Sequence, residues 1–382
     1  MIPHQVTEIQ AYLQHQDYSL AVRRLLDISL DTDKPEIIQH AIQISRDYNQ
    51  AIKRGEKETA IQELGRSANE ILKEIQNQTY RPIQSETLVD VKNISKTYNK
   101  GNFTLQPISL HVSTGDILGV VGENGNGKTT LLRCLAGQLA IDNGIINHSQ
   151  VTEPGFYAVK STVAFIPQRI PKWHGLLKDN LHFSAAISGV RGKRNDLMVD
   201  FMLERLNLGA YSHLTWNQIS SGYRTRFEIA RILLQKPSLL ILDEPLANLD
   251  INAQQTILTD LKFMAKSINH RMGVVLSSQQ LHEVEKIADN VLFIKQGACL
   301  FQAGGKDEKV TTYVLELETE AGRDNIVNIF GENKINIQFN GGFYTISSAS
   351  YTVQEMLDVL VSNRLGITYF RDITYSTKRF FN

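Results

Sequence analysis

The chain has 382 residues, enough for two or three domains, and its 40 Lys+Arg balance 40 Asp+Glu, so no basic excess points to nucleic acid as a partner. No run approaches the roughly 18 apolar residues that a membrane-crossing helix needs, so any work at a membrane requires another chain to do the spanning. The two cysteines, Cys134 and Cys299, lie far apart and are expected to be reduced thiols. The opening Met1-Ile2-Pro3-His4-Gln5 lacks a charged segment followed by an apolar core, so a signal peptide is not expected.

Residues 1 to about 77 read as helical. Val6, Ile9 and Leu13, then Leu20, Val22, Leu25, Leu26 and Ile28, recur at helical spacing. A second stripe (Ile37, Ile38, Ala41, Ile42, Ile44) follows Pro35, and a third (Ile61, Leu64, Ala68, Ile71, Leu72, Ile75) follows the break at Gly55. These stripes predict the inner faces of a small antiparallel bundle, with a docking surface for a partner as the alternative. The polar, proline-containing stretch 78–86 reads as a linker.

Strand-like segments follow at Thr87 to Tyr98, Phe103 to Val112 and Ile117 to Val121, then at Gly144-Ile145-Ile146 and Val163 to Ile166. Residues from about 175 to 235 look mostly helical, interrupted by the basic stretch Val190-Arg191-Gly192-Lys193-Arg194, which is expected to be a solvated turn. The apolar run Leu239-Leu240-Ile241-Leu242, closed by Asp243-Glu244-Pro245, has the pattern of a buried parallel strand. Helix, strand (Val274 to Leu276), helix and strand (Val291 to Ile294) complete an alternation that predicts a parallel sheet covered on both faces. After Ala303 to Asp307 the tail reads strand, helix, hairpin at Gly341-Gly342, helix, strand. That β-α-β-β-α-β order is ferredoxin-like and carries no catalytic constellation.

The chemistry concentrates in Gly122-Glu123-Asn124-Gly125-Asn126-Gly127-Lys128-Thr129-Thr130, which follows a strand and opens a helix. It satisfies the phosphate-loop (P-loop) pattern G-x-x-x-x-G-K-[ST] in the context that makes the pattern trustworthy. The glycines let successive backbone N–H groups turn inward as an anion nest at a helix N-terminus. Lys128 is placed to reach the β- and γ-phosphates, and the Thr129 hydroxyl to ligate Mg²⁺. A glycine turn that only closes a strand–helix corner gives no reason for the Lys-Thr pair. Asp243, at the end of a buried strand, is the place for a carboxylate that holds Mg²⁺, and Glu244 beyond it is a candidate for polarising an attacking water.

From about residue 87 to 302 the set resembles the nucleotide-binding subunit of an ABC ATPase. Tyr98 occupies the place of the aromatic that stacks on adenine, and Gln168, in Ile166-Pro167-Gln168, looks like the glutamine that touches Mg²⁺ and signals to the membrane subunit. Ile219-Ser220-Ser221-Gly222-Tyr223 resembles the signature L-S-G-G-Q, with Ser220 and Gly222 retained but Ser221 and Tyr223 departing from it. Ala247-Asn248-Leu249-Asp250 resembles the D-loop. Gln279, in Ser277-Ser278-Gln279-Gln280, stands where the family usually has a switch histidine; it can donate a hydrogen bond but cannot become cationic, so slow turnover is expected.

The resemblance implies an α/β P-loop NTPase of the ABC cassette type at 87–303, with a helical N-terminal domain at 1–80 and a small α+β, ferredoxin-like C-terminal domain at 308–382. It implies ATP and Mg²⁺ as ligands, Thr129, Gln168 and Asp243 around the metal, and Glu244, Lys128 and Gln279 as the catalytic set. It implies a head-to-tail homodimer, because the signature serine completes the opposite subunit's site, with a separate multi-span membrane subunit and a place on the cytoplasmic face of the membrane. No nucleic-acid partner is expected. The closing Tyr313 to Leu317 and Ile367 to Thr374 look similar to the tail of export-type systems, which suggests an exporter. A soluble ABC ATPase acting on a macromolecule and a slow nucleotide-sensing regulator stand as alternatives.

Overall fold

The computed structural model describes residues 4–76, 85–98, 103–151, 156–247, 249–267, 271–304, 312–331 and 334–374. Most of the stretch read as a linker, Asn248 of the D-loop and most of the link after Ala303 lie outside the described residues.

Four helices come first: α1 (His4–Gln14), α2 (Tyr18–Asp31), α3 (Pro35–Arg54) and α4 (Lys57–Gln76). Asp17 caps α2 by accepting from the Leu20 N–H at 3.2 Å, which satisfies one of the orphan donors of the first turn. Pro35 opens α3 where its missing N–H is harmless, and Gly55 ends it in the left-handed conformation (φ 82°). The stripes face inward: Val6, Ile9, Leu25, Leu26, Ile38, Ile42, Leu64, Ile71 and Ile75 are all buried. Each such aliphatic side chain contributes roughly 1.5–3 kcal/mol on burial.

Strands β1 (Thr87–Thr97), β2 (Thr104–Ser113) and β3 (Ile117–Val121) lead to α5 (Lys128–Leu135). Next come β4 (Asn143–His148), α6 (Phe156–Thr162), β5 (Val163–Ile166), α7 (Leu177–Ile187), α8 (Gly192–Arg205) and α9 (Ser221–Leu233). Then follow β6 (Leu239–Leu242), α10 (Ile251–Ala265), β7 (Gly273–Ser278), α11 (Leu281–Glu285), β8 (Asn290–Lys295) and β9 (Ala298–Gly304). The central sheet has the order β5-β6-β7-β3-β8-β9; its first five strands run parallel and β9 pairs antiparallel with β8. Every residue of β3, β6 and β7 is buried, which explains their unbroken apolar runs.

Strands β2, β1 and β4 form a separate antiparallel sheet. The interval from β1 to β2 is too short for the crossover that parallel pairing requires, and β2 alternates buried with exposed positions, as a one-sided sheet does. The basic stretch at 190–194 is only partly a turn, because α8 begins at Gly192 and Lys193 and Arg194 lie in its exposed first turn. Arg194 there pairs with Asp33 at 2.7 Å.

The bundle is not free-standing. One hydrophobic cluster runs from Val6 and Ile9 through Ile71 and Ile75 into Phe201, Met202, Phe227 and Leu261. Polar ties accompany it. Arg46 of α3 holds Glu204 at 3.0 Å and Asp200 at 3.1 Å on α8. From α2, Asp27 accepts from Arg205 of α8, and Arg23 pairs with Asp260 of α10.

The tail forms β10 (Tyr313–Glu318), α12 (Arg323–Phe330), β11 (Asn336–Asn340), β12 (Phe343–Ser348), α13 (Val353–Ser362) and β13 (Tyr369–Asp372). Its antiparallel sheet has the order β11-β12-β10-β13, the ferredoxin-like arrangement. The tail has its own core around Leu315, Leu317, Phe330, Ile346, Met356 and Leu360.

Candidate active site

The site is built where β3 and β6 end side by side across β7. After Val121 the chain turns through Gly122, where an added Cβ would sit 2.2 Å from the Ile294 carbonyl oxygen. Gly127, with φ 104°, delivers the chain into α5. Only glycine satisfies both demands at low cost.

Lys128 folds back over this turn. Its Nζ donates to the carbonyls of Gly122 at 2.7 Å and Glu123 at 3.2 Å, and lies 3.0 Å from Glu244 Oε1 as an ion pair. Thr129 Oγ1 donates to Asp243 Oδ2 at 2.8 Å. Ser277 Oγ donates to Asp243 Oδ1 at 2.8 Å and accepts from the Glu244 N–H, also at 2.8 Å. Lys128, Asp243 and Ser277 are buried. Glu244 has φ 50°, the left-handed region, a strain of order 1–3 kcal/mol that the surrounding bonds hold in place. Five side chains from α5, the end of β6 and β7 thus form one connected polar cluster.

The other expected residues stand around it. Tyr98, 38% exposed, has its hydroxyl 3.4 Å from Thr130 Oγ1. The strand that presents it is clasped by Asp142, which accepts from Lys96 Nζ at 2.6 Å and the Thr97 N–H at 2.7 Å. Those bonds, Lys96 first, hold the Asp142 carboxyl below its ordinary value. Glu123, Asn124 and Gly125 are exposed. Asn126 turns its side chain away, accepting from the Gln296 N–H at 2.9 Å, so the phosphate loop is pinned to the turn between β8 and β9. Gln168, just after β5, lines a cleft of about 210 Å³ with Asp243, Glu244, Ser221 and Arg224. Gln279 is exposed directly after Ser278, which pairs in register with Val121 at the mouth of the loop.

Ser220 and Gly222 are at the N-terminus of α9, and no hydrogen bond joins them to the phosphate loop among the described residues. The Ser220 hydroxyl makes no capping bond. Tyr223, which departs from the signature pattern, packs its ring against Tyr211 with centroids 3.9 Å apart. Ser277 and the Asn126 side chain are the participants that sequence reasoning missed. A hydroxyl closing an otherwise apolar strand was the available signal for Ser277. Among the described residues no group of three or more His, Cys, Asp or Glu side chains forms a metal cage.

The sequence model of the family described as ABC transporter matches residues 105–247, from β2 to just beyond Glu244. The chain is 33% identical over 248 residues to the phosphonates import ATP-binding protein of Bdellovibrio bacteriovorus, covering 60% of this chain and 92% of that relative. The chain belongs to the ABC transporter ATP-binding family. It is also 26% identical to the Fe(3+) ions import ATP-binding protein of Mannheimia succiniciproducens, covering 71% of this chain and 74% of the relative. Among solved structures, cbiO1 of Clostridium perfringens, described as part of the ABC transporter complex cbiONQ, superposes with a TM-score of 0.51 at 23% identity. That likeness covers 57% of this chain and 89% of that one, and it speaks to the fold. The ABC cassette is therefore the α/β P-loop NTPase unit of this chain, which is an ATP-binding subunit with ATPase activity. The family match stops short of the helical bundle and the tail. No helix among the described residues is long and apolar enough to cross a membrane.

Proposed function

We propose that the chain powers transport through a separate multi-span membrane subunit, on the cytoplasmic face, by closing and opening a head-to-tail pair of cassettes around two ATP molecules. The observation that carries this reading is the cluster Lys128–Glu244–Ser277–Asp243–Thr129 at the end of the phosphate loop. In it Lys128 takes the β- and γ-phosphates, and the backbone from Gly122 to Gly127, with Thr130, cradles them. Thr129, Asp243 and Gln168 are the residues that would hold Mg²⁺, which when bound would supply positive charge against the phosphates. Glu244, held at its backbone N–H by Ser277, orients and deprotonates the attacking water. Tyr98 stacks on adenine, and Gln279 donates to a γ-phosphate oxygen. Ser220 and Gly222 serve the site of the second copy, which agrees with their separation from the phosphate loop within one chain.

Export, expected from the tail, gains no support from the two relatives described above, both of which are named for import. The proposal is ATP-driven transport with no direction assigned.

Two measurements test it. Lys128→Ala removes charge-assisted hydrogen bonds worth roughly 1.5–3 kcal/mol each, so calorimetry should show ATP affinity falling at least about tenfold. Glu244→Gln should abolish turnover and trap an ATP-dependent dimer in light scattering. A variant that stays monomeric with ATP bound, even beside its membrane partner, contradicts the head-to-tail reading.

A further inference from the structure

Gln168 stands on a stretch with no regular structure of its own. Between β5 and α7, residues 167–175 form neither helix nor strand, and no backbone–backbone hydrogen bond holds them among the described residues. Side chains must fix such a stretch. Trp173, 8% exposed, is the buried one in it. Its Nε1 donates to Glu228 Oε2 of α9 at 3.1 Å, its ring stacks on Trp216 with centroids 5.0 Å apart, and it meets Phe227 edge-on at 6.2 Å. Glu228 lies about two turns along α9 from Ser220. Trp216 precedes Ser220 by four residues. Arg224 Nε donates to the Trp216 carbonyl at 3.2 Å, and Arg224 and Trp216 line the same cleft as Gln168 and Glu244.

Packing explains the rings but not the carboxylate. Glu228 is 2% exposed, and Arg231, one turn on, donates to both of its oxygens. A buried ion pair adds little net stability over apolar residues of similar volume. What Glu228 supplies, and an apolar side chain would not, is a fixed direction for the Trp173 N–H.

We propose, with Gln168 and Ser220 in the roles proposed for them, that Trp173 is a positioning residue for ATP hydrolysis. Through Glu228 and Trp216 it seats the Gln168 stretch on α9, so that Gln168 and the signature Ser220 move as one body when nucleotide binds. Gln168 belongs to the site of its own chain and Ser220 to that of the second copy. One tie therefore aligns parts of two sites.

The chain has only two tryptophans, Trp173 and Trp216, so circular dichroism of the full chain reads this stack alone as an exciton couplet. The couplet should be present without nucleotide, vanish in Trp173→Phe, and survive when the Glu244→Gln chain is saturated with Mg²⁺-ATP. A wild-type chain without the couplet, or a couplet lost on ATP binding, overturns the tie whether or not the chain dimerises, which separates its failure from that of the head-to-tail reading. Trp173→Phe keeps a ring in place and leaves Glu228 paired with Arg231, so the variant should fold. Its kcat should fall about tenfold, the scale of one hydrogen bond to a charged group, while the KM for ATP stays within about twofold. Glu228→Gln still presents an oxygen to the Trp173 N–H and should turn over like wild type. If Trp173→Phe is less stable in denaturant but keeps its kcat, Trp173 only packs and the proposal falls. It falls equally if Glu228→Gln loses as much kcat as Trp173→Phe.

Discussion

Ser277 shows how much of the site is assembled by groups that no motif names. Fully buried, it holds the Asp243 carboxylate with its proton and the Glu244 N–H with its lone pair. Ser277→Ala leaves both without that partner, at roughly 1–3 kcal/mol for an unsatisfied buried group. ATP turnover should fall well beyond tenfold while ATP affinity changes little; unchanged turnover would remove Ser277 from the mechanism. Gln279→His is expected to act the other way, raising turnover because a histidine can become cationic beside the γ-phosphate. An unaltered rate with ATP binding intact would count against the switch role. Lys128, Thr129, Asp243 and Glu244 were legible in the sequence because their spacing to a strand end or a helix start is local. Ser277 and the Asn126 side chain were not, since their partners are 33 to 170 residues away. The left-handed backbone of Glu244 was equally invisible, because nothing in its side chain requires it.

The elements themselves were largely legible. Periodicity located three helical stripes of the bundle but not the break that divides the first into α1 and α2, and continuous apolar runs located β3, β6 and β7. Periodicity could not say which sheet a strand would join, and β1 and β2 went to the antiparallel one. Nor did it reveal β9, whose pairing with β8 makes the turn that supports the phosphate loop. Gly297 in that turn has φ 80°, donates to the Asn126 carbonyl at 3.1 Å, and would bring an added Cβ to 2.0 Å from the Thr104 carbonyl oxygen. Gly297→Ala must therefore shift the turn or β2. A loss of roughly 1–3 kcal/mol or somewhat more in denaturant unfolding is expected, because the strain of the left-handed position adds to the clash. A loss below 1 kcal/mol would show that the turn relaxes freely.

Across the whole molecule, α2 touches α8 and α10 at once, so the bundle ties the helical layer to the flank of the central sheet. The apolar stripes announced that each helix needed partners but not that α2 and α3 would find some of theirs in the cassette. Asp27→Ala removes the acceptor of the buried Arg205 Nε, and breaking a buried pair from one side typically costs about 3–5 kcal/mol. The whole chain should be destabilised by a comparable amount in equilibrium unfolding; a change under 1 kcal/mol would mean that the tie is not energetically significant. The same tie sets a timetable for biosynthesis. Arg23 leaves the ribosome 237 residues before Asp260, and Asp27 precedes Arg205 by 178. At roughly 5–20 residues per second the first helices wait on the order of ten to fifty seconds for the surface that completes them. During that delay their half-covered stripe lacks the cassette surface that later buries it.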